Sequence, residues 1–108
     1  MKTLQLIASA AALTVFAGGL AWAAGASVSQ KDKLFSAPEV TITAGSAITF
    51  TNDDTVSHNI MVRGDSMKVN VGVQKPGDST DVPFAEAGTF KVTCGIHPKM
   101  KMTVKVEP

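Results

Sequence analysis

Short runs of alternating apolar and polar side chains fill most of the chain beyond residue 25. Clusters of Gly, Pro, Asn and Asp separate these runs about every eight to twelve residues, a spacing typical of all-β domains. Alternation with a period of two places the apolar side chains of a strand on one face, where they can reach a core. The pattern therefore predicts a β-sandwich in which two antiparallel sheets pack face to face.

The clearest predicted strands are EVTIT, AITFT, KVNVGV, GTFKVTC and MTVKVEP. Their apolar positions predict the core residues Val40, Ile42, Ile48, Phe50, Val69, Val71, Val73, Phe90, Val92, Cys94, Met102, Val104 and Val106. A tight loop from Gly95 to Lys101 connects the last two strands. The sequence has no helical period of useful length, so we expect no helical layer. It also has no internal repeat.

The N-terminal segment differs from the rest of the chain. A single lysine precedes an apolar run from Leu4 to Leu20, and small residues follow it in an Ala-x-Ala pattern. The run is short for a bilayer span and has the form of a secretory signal peptide. We predict that residues 1–23 are a signal peptide, cleaved after Ala23 or Ala24, and that residues 24–108 form one domain. This predicts export by the Sec route to the periplasm, without a membrane anchor.

The charge balance narrows the range of partners. The chain has ten Lys and Arg residues against nine Asp and Glu residues. Because Lys2 would leave with the signal peptide, the predicted mature domain has nine of each and no net charge. Nucleic-acid binding usually needs a basic excess, so we expect no nucleic-acid partner.

Cys94 is the only cysteine in the chain. An exported protein normally uses cysteines in pairs, but here no disulfide can form within one chain. Three interpretations of Cys94 remain: a small buried apolar residue, a reactive thiol, or a metal-bound thiolate.

Metal-binding side chains are concentrated in the segment TCGIHPKMKM. Cys94, His97 and Met100 follow one another at three-residue intervals, and the only other histidine is His58. Thiolate and thioether suit Cu(I), imidazole suits either oxidation state of copper, and two His with one Cys and a weak axial Met define a blue copper site. Zinc sites rarely include a thioether. The sequence predicts one copper ion per chain.

With these residues the chain resembles the cupredoxins, most closely their amicyanin-like members, with plastocyanin and pseudoazurin as neighbours. The resemblance covers nearly the whole predicted domain. It rests on SHN at residues 57–59, FAEAGTFKVTC at residues 84–94 and CGIHPKM at residues 94–100. It implies a Greek-key β-sandwich of two sheets.

The resemblance also implies a ligand set. His58, Cys94 and His97 would be the equatorial ligands of copper, and Met100 would be the axial ligand. Met102 has the longer spacing found in plastocyanin-like and pseudoazurin-like members, so it is the alternative axial ligand. In amicyanin-like chains a short strand follows the ligand methionine at about the distance seen here. We therefore expect Met100 to bind the metal and Met102 to lie in the core.

Two residues beside the ligands are expected to contact the thiolate. Asn59 and Gly95 each have a backbone N–H that could point at the sulfur of Cys94, where such hydrogen bonds tune a metal site. Gly95 stands where amicyanin-like chains commonly have a hydroxyl residue. A contact between the Asn59 side chain and that hydroxyl therefore cannot form here.

The sequence predicts an electron carrier and no enzymatic activity. It shows no carboxylate pair or nucleophile–base pair, and a fully occupied ligand set leaves no open coordination position for a substrate. The resemblance implies that electrons pass through the edge of His97. Ile96 and Pro98 would form an apolar patch around it, and Lys99 and Lys101 would form a basic rim that favours an acidic docking face on the partner.

The expected partners are redox proteins, with a donor such as a dehydrogenase and an acceptor such as a c-type cytochrome or an oxidase. We expect the carrier to be a monomer. The alternative is a periplasmic copper(I) binding or trafficking protein. In that case Cys94, Met100 and Met102 would deliver the ion rather than the electron, and Met61 and Met67 would offer further thioethers.

Overall fold

The computed structural model describes residues 23–108, which form nine strands in two sheets. The strands are β1 (Ala23–Lys31), β2 (Leu34–Phe35), β3 (Glu39–Thr43), β4 (Ser46–Asn52), β5 (His58–Arg63), β6 (Lys68–Gln74), β7 (Ser79–Phe84), β8 (Gly88–Thr93) and β9 (Lys101–Glu107). The predicted signal peptide lies outside the described residues except for Ala23, where β1 begins. Within residues 23–108 there is no helix long and apolar enough to cross a membrane.

The two sheets are mixed rather than purely antiparallel. One has the strand order β3-β9-β8-β5-β6 and the other has the order β2-β1-β4-β7. Most neighbours are antiparallel, but β9 pairs with β3 in parallel and β1 pairs with β4 in parallel. The prediction of two antiparallel sheets is therefore wrong in this respect. Consecutive strands such as β3 and β4 belong to different sheets, and side-chain alternation does not report which strands become neighbours.

Apolar side chains from both sheets fill the space between them. The buried cluster consists of Val28, Ile42, Ile48, Phe50, Ile60, Val62, Val82, Phe84, Phe90, Val92, Met102, Val104 and Val106. Phe84 from one sheet meets Phe90 from the other edge to face, with ring centroids 5.4 Å apart. This cluster confirms the predicted core positions of EVTIT, AITFT, GTFKVTC and MTVKVEP, with Val40 partly buried against it.

Strand β6 departs from the predicted pattern. Alternation predicts that Val69, Val71 and Val73 share a core-facing side, but Val73 is 64% exposed and Val69 is 39% exposed. Val69 lies before the irregularity, opposite the buried Val62 on an edge strand, so the phase changes only for Val73; the change is due to a β-bulge, where the pairing of β6 with β5 skips Val71. Gly72 beside it has a φ of 97°, which glycine adopts without steric cost. The extra residue changes the phase, so that Val73 points outward and Gln74 is buried.

The candidate ligands gather at one end of the five-stranded sheet. His58 is the first residue of β5, Thr93 is the last of β8, and Lys101 is the first of β9. Because these neighbouring strands are antiparallel, the three termini lie at the same end. The loop of residues 94–100 closes that end of the sandwich.

Candidate metal centre

Three of the four predicted ligands converge in the structure. The Nδ1 atoms of His58 and His97 lie 3.1 Å apart, and the Sγ of Cys94 lies 3.8 Å from each of them. His58 and Cys94 are buried, and His97 is partly exposed. The structure therefore brings together residues from β5 and from the loop that are 36 to 39 positions apart in sequence.

The spacing of these atoms fits a single metal ion. Metal–imidazole bonds are about 2.0–2.1 Å and metal–thiolate bonds about 2.3 Å in well-studied divalent sites. Two nitrogens on one ion can therefore lie at most about 4 Å apart, and a nitrogen and a sulfur at most about 4.4 Å. The observed separations of 3.1 and 3.8 Å are within both limits. The set of two imidazoles and one thiolate is the equatorial donor set of a blue copper site.

Backbone hydrogen bonds hold the loop and its thiol in place. The N–H of Cys94 donates to the carbonyl of Met100 at 3.2 Å, and the N–H of Met100 donates to the carbonyl of His97 at 2.9 Å. The N–H of Asn59 donates to the Sγ of Cys94 at 3.3 Å. This last bond links the His58 strand directly to the thiolate position.

Met100 and Met102 occupy different environments. Met100 is 1% exposed and lies in the loop, outside the hydrophobic cluster. Met102 is 2% exposed, lies in β9 opposite Val92, and belongs to that cluster. The side chain of Met102 therefore already packs in the core, while the buried thioether of Met100 belongs to the loop that carries Cys94 and His97.

Asp54 is a residue of the site that the sequence reasoning missed. Its Oδ2 lies 2.8 Å from the Nε2 of His58 and also accepts from the N–H of Lys33, while its Oδ1 accepts from the N–H of Thr55. These contacts hold the pKa of Asp54 well below its usual range. The hydrogen bond from the Lys33 N–H has the largest effect, and the contact with His58 has the next largest. Because a carboxylate only accepts, this contact needs a hydrogen on the Nε2 of His58, and the Nδ1 is the ring nitrogen that faces Cys94 and His97.

The sequence offered one signal for Asp54. It stands four residues before His58, in one of the clusters of Asn and Asp that separate the predicted strands. A carboxylate near a histidine ligand is a common way to fix the imidazole, but the spacing alone does not show that the turn brings the two side chains together.

Gly95 has a different role from the one expected. Among the described residues, the N–H of Asn59 donates a hydrogen bond to the sulfur of Cys94, but the N–H of Gly95 does not. A Cβ atom at Gly95 would lie 2.6 Å from the Oδ1 of Asn59 and 3.1 Å from the Sδ of Met61. The absence of a side chain is therefore what lets the loop approach β5 so closely.

The Asn59 side chain is anchored on the neighbouring strand. Its Nδ2 donates to the Oδ1 of Asn70 at 2.9 Å and to the carbonyl of Gly72 at 2.8 Å. The Oδ1 of Asn70 also accepts from the N–H of Gly72. The bulge in β6 thus supplies the partners that the missing hydroxyl at position 95 cannot.

The expected partner surface lies at the exposed end of the loop. Ile96 is 48% exposed, and Pro98, Lys99 and Lys101 are exposed as well. Together with the partly exposed ring of His97, they form the outer surface of the candidate metal centre.

This fold and donor set are those of a blue copper protein, and comparisons with known proteins agree. Residues 23–107 match the profile of the family described as copper binding proteins, plastocyanin/azurin family. Amicyanin-alpha of Methylorubrum extorquens is 34% identical over an alignment that covers 96% of this chain and 100% of that protein. The chloroplastic plastocyanin of Silene latifolia subsp. alba is 28% identical, over 98% of this chain and 72% of that protein.

A solved structure shows the same fold. Amicyanin from Paracoccus versutus superimposes with a TM-score of 0.71 at 25% identity, over 82% of this chain and 87% of that one. The chain therefore belongs to the plastocyanin/azurin family of copper-binding proteins, the cupredoxins. Members of this family bind one copper ion through His, Cys, His and Met side chains, and such residues are present here.

Proposed function

We propose that this protein is an exported type 1 copper protein that carries single electrons between redox proteins. The observation that supports this most is the convergence of two imidazole nitrogens and one thiol sulfur within 4.8 Å of one another, at one end of a sandwich with a separate core. His58, Cys94 and His97 would be the equatorial ligands. Met100 would be the axial ligand, because its thioether is buried in the ligand loop and Met102 already packs in the core.

The arrangement of the chain suits electron transfer. Bound copper supplies the one-electron exchange between its +1 and +2 states, which prefer different geometries. A site that keeps one geometry in both states reduces the reorganisation that accompanies transfer. Asp54 fixes the ring of His58, Asn59 fixes the sulfur of Cys94, and the hydrogen bonds of the loop fix its path. His97 would provide the route to a partner, since it alone among these three ligands is partly exposed.

Burial of the donor atoms favours a carrier over a copper trafficking protein. A protein that delivers its ion needs ligands that a second protein can reach. Here His58 is 0% exposed and Cys94 is 1% exposed. We propose redox proteins as the partners, such as a dehydrogenase as donor and a c-type cytochrome or an oxidase as acceptor, and, because of the predicted signal peptide, the periplasm as the location.

The visible spectrum of the copper-loaded chain tests the proposal. Cu(II) added to purified residues 24–108 should give an intense blue thiolate-to-copper band and a reversible one-electron potential. Of two matched variants, Met100→Ala should shift the band and the potential, and Met102→Ala should leave both nearly unchanged. A colourless Cu(I) complex that gives up its metal readily to a chelator would instead identify a trafficking protein. A larger shift in Met102→Ala would reverse the axial assignment.

A further inference from the structure

The outer face of the five-stranded sheet carries a concentration of positive charge. Alternate side chains of this sheet point away from the core, and exposed cations occupy several of these outward positions on neighbouring strands. They are Arg63 on β5, Lys68 on β6, Lys91 on β8, and Lys101 and Lys105 on β9. We call these residues the basic face.

The strand register places these cations next to one another. Arg63 pairs with Lys68 on one side and with Lys91 on the other, so three positive charges form one row across three strands. On the far side of Lys91, Lys101 and Lys105 stand at its two diagonal positions on β9. Like charges directly opposite each other destabilise a sheet, and diagonal neighbours are within reach of long side chains. The stability of the fold therefore does not explain this arrangement.

Little negative charge compensates the basic face. In the described part of the chain, one ion pair involves a cation of the basic face. It joins the Nζ of Lys105 to the Oε2 of Glu39 at 3.6 Å, and both side chains are about half exposed. Asp65 lies in the turn between β5 and β6, and Glu107 lies at the end of β9, but neither is within ion-pair distance of a cation on this face. Four of the five cations are thus free to meet charges from outside.

The remaining acidic residues adjoin the other sheet. They lie within or next to strands of the four-stranded sheet and are Asp32, Asp53, Asp54, Asp78, Asp81 and Glu86. Lys31, Lys33 and Lys75 adjoin the same sheet and offset part of this negative charge, so the chain is polarised between its two faces although it has almost no net charge. Such a separation orients an approaching charged protein, even where net charge gives no attraction.

We propose that the basic face is the docking surface for an acidic protein partner, which would lie along the sheet and reach the ligand loop at its edge. Lys101 follows Met100 directly, so the face is continuous with the candidate metal centre. Exposed Val73 points outward at this same end, opposite Asn59, and gives the surface an apolar contact beside its charges. That the partner is a redox protein rests on the proposed function, but the docking itself does not.

A protein surface fits this face better than an anionic membrane. Most of its other outward positions hold polar or acidic side chains, and Met61 and Val73 are the apolar exceptions; the polar and acidic ones are Glu39, Thr41, Thr43, Asn59, Asn70, Thr89, Thr93, Thr103 and Glu107. Peripheral membrane binding normally adds large apolar side chains that insert among the lipids. A surface of cations and other polar side chains with only two apolar side chains has the composition of a polar protein interface.

Retention of the copper-loaded chain on immobilised poly-L-glutamate tests the proposal. The variant Arg63→Gln/Lys68→Gln/Lys91→Gln should bind at least about tenfold more weakly than the wild type, because it removes the central row of charges. The control Lys31→Gln/Lys33→Gln/Lys75→Gln has the same change in net charge at exposed positions elsewhere and should bind within about twofold of the wild type. Loss of binding with added salt should be steep for the wild type and shallow for the basic-face variant.

Several outcomes would overturn the docking surface. Equal weakening in both triple variants would show that net charge alone matters. Tighter binding to phosphatidylglycerol vesicles than to poly-L-glutamate, lost in the basic-face variant, would identify a membrane-binding face instead. Each variant should keep the blue band, and the basic-face variant should melt no lower than the wild type because like charges are removed. A missing band in the wild type would contradict the proposed function, whereas unchanged binding with an intact band would contradict only the docking surface.

Discussion

At the scale of single residues, the ligand His58 is prepared for a metal before any metal binds. Its ring is buried, and the Oδ2 of Asp54 holds its Nε2 at 2.8 Å. That carboxylate is itself held by the N–H groups of Lys33 and Thr55. Three N–H donors thus converge on the two oxygens of one side chain, which an ionised carboxylate can satisfy and an amide cannot.

Replacing this carboxylate tests its role. In Asp54→Asn an NH₂ group must face at least one of the three donors, so the ring of His58 should lose its fixed orientation. We expect copper to be lost to a chelator about tenfold faster or more, a typical effect of removing a partner of a histidine ligand. The reduction potential should also rise, because a negative charge beside the site favours Cu(II). Stopped-flow chelation and voltammetry measure the two effects.

The neighbouring Asp53 provides the control. Asp53→Asn removes the same charge one residue away, where the carboxylate accepts from the hydroxyl of Ser29 and does not contact His58. Chelation rate and potential should stay close to those of the wild type. If both variants change the potential and the rate equally, then the effect is one of general charge, and Asp54 does not position the ligand.

The role of a residue in the site could be predicted where it depends on side-chain chemistry and spacing, and not where it depends on contacts made only in the folded chain. The soft ligands at Cys94, His97 and His58 were predictable from side-chain chemistry and spacing, and the structure brings them together. The contact of Asp54 was not, because it depends on the turn folding back over His58. The close approach at Gly95 was not either, because the atom that would clash there belongs to Asn59 on another strand.

At the scale of elements, the boundary between the ligand loop and β9 separates the two methionines. β9 begins at Lys101, so Met102 is the first core residue of that strand and Met100 is the last residue of the loop. Strand parity alone could not distinguish them, because both positions have the same phase. Membership of the hydrophobic cluster does distinguish them.

Unfolding of the metal-free protein tests this boundary. Met102→Ala removes a side chain packed among the core residues of β8 and β9, so it should lower the free energy of unfolding by about 2–5 kcal/mol. Met100→Ala should cost clearly less, because its side chain lies outside that cluster. Urea denaturation followed by circular dichroism gives both values. An equal or larger loss in Met100→Ala would show that the loop methionine belongs to the core.

The limits of prediction at this scale have a common cause. Alternation correctly gave the inward faces of β3, β4, β8 and β9, because each of these strands is regular. It failed for β6, where one extra residue at Val71 reverses the phase, and for the two parallel pairings. Both depend on how strands are arranged in space, which a period of two along the chain does not contain.

At the scale of the whole molecule, the core and the candidate metal centre are separate. The cluster between the sheets includes none of the four proposed ligands, and its side chains come from strands of both sheets. The sandwich therefore has its own hydrophobic stabilisation without a metal. The ligands, in contrast, lie at the start of β5 and in the loop between β8 and β9, so a bound ion would add direct bonds between these two segments.

This separation predicts how the protein responds to removal of copper. The metal-free chain should keep the β-sheet circular dichroism spectrum of the loaded chain but melt at a lower temperature. Binding to the folded state alone adds about 4 kcal/mol when free copper exceeds its dissociation constant a thousandfold. For a domain of this size each kcal/mol raises the melting temperature by about 4–8 °C. The variant Cys94→Ser should melt near the metal-free wild type and gain little on adding copper, because the thiolate is gone. Loss of the β-sheet spectrum on chelation would contradict the prediction and show that the metal, rather than the core, holds the two sheets together.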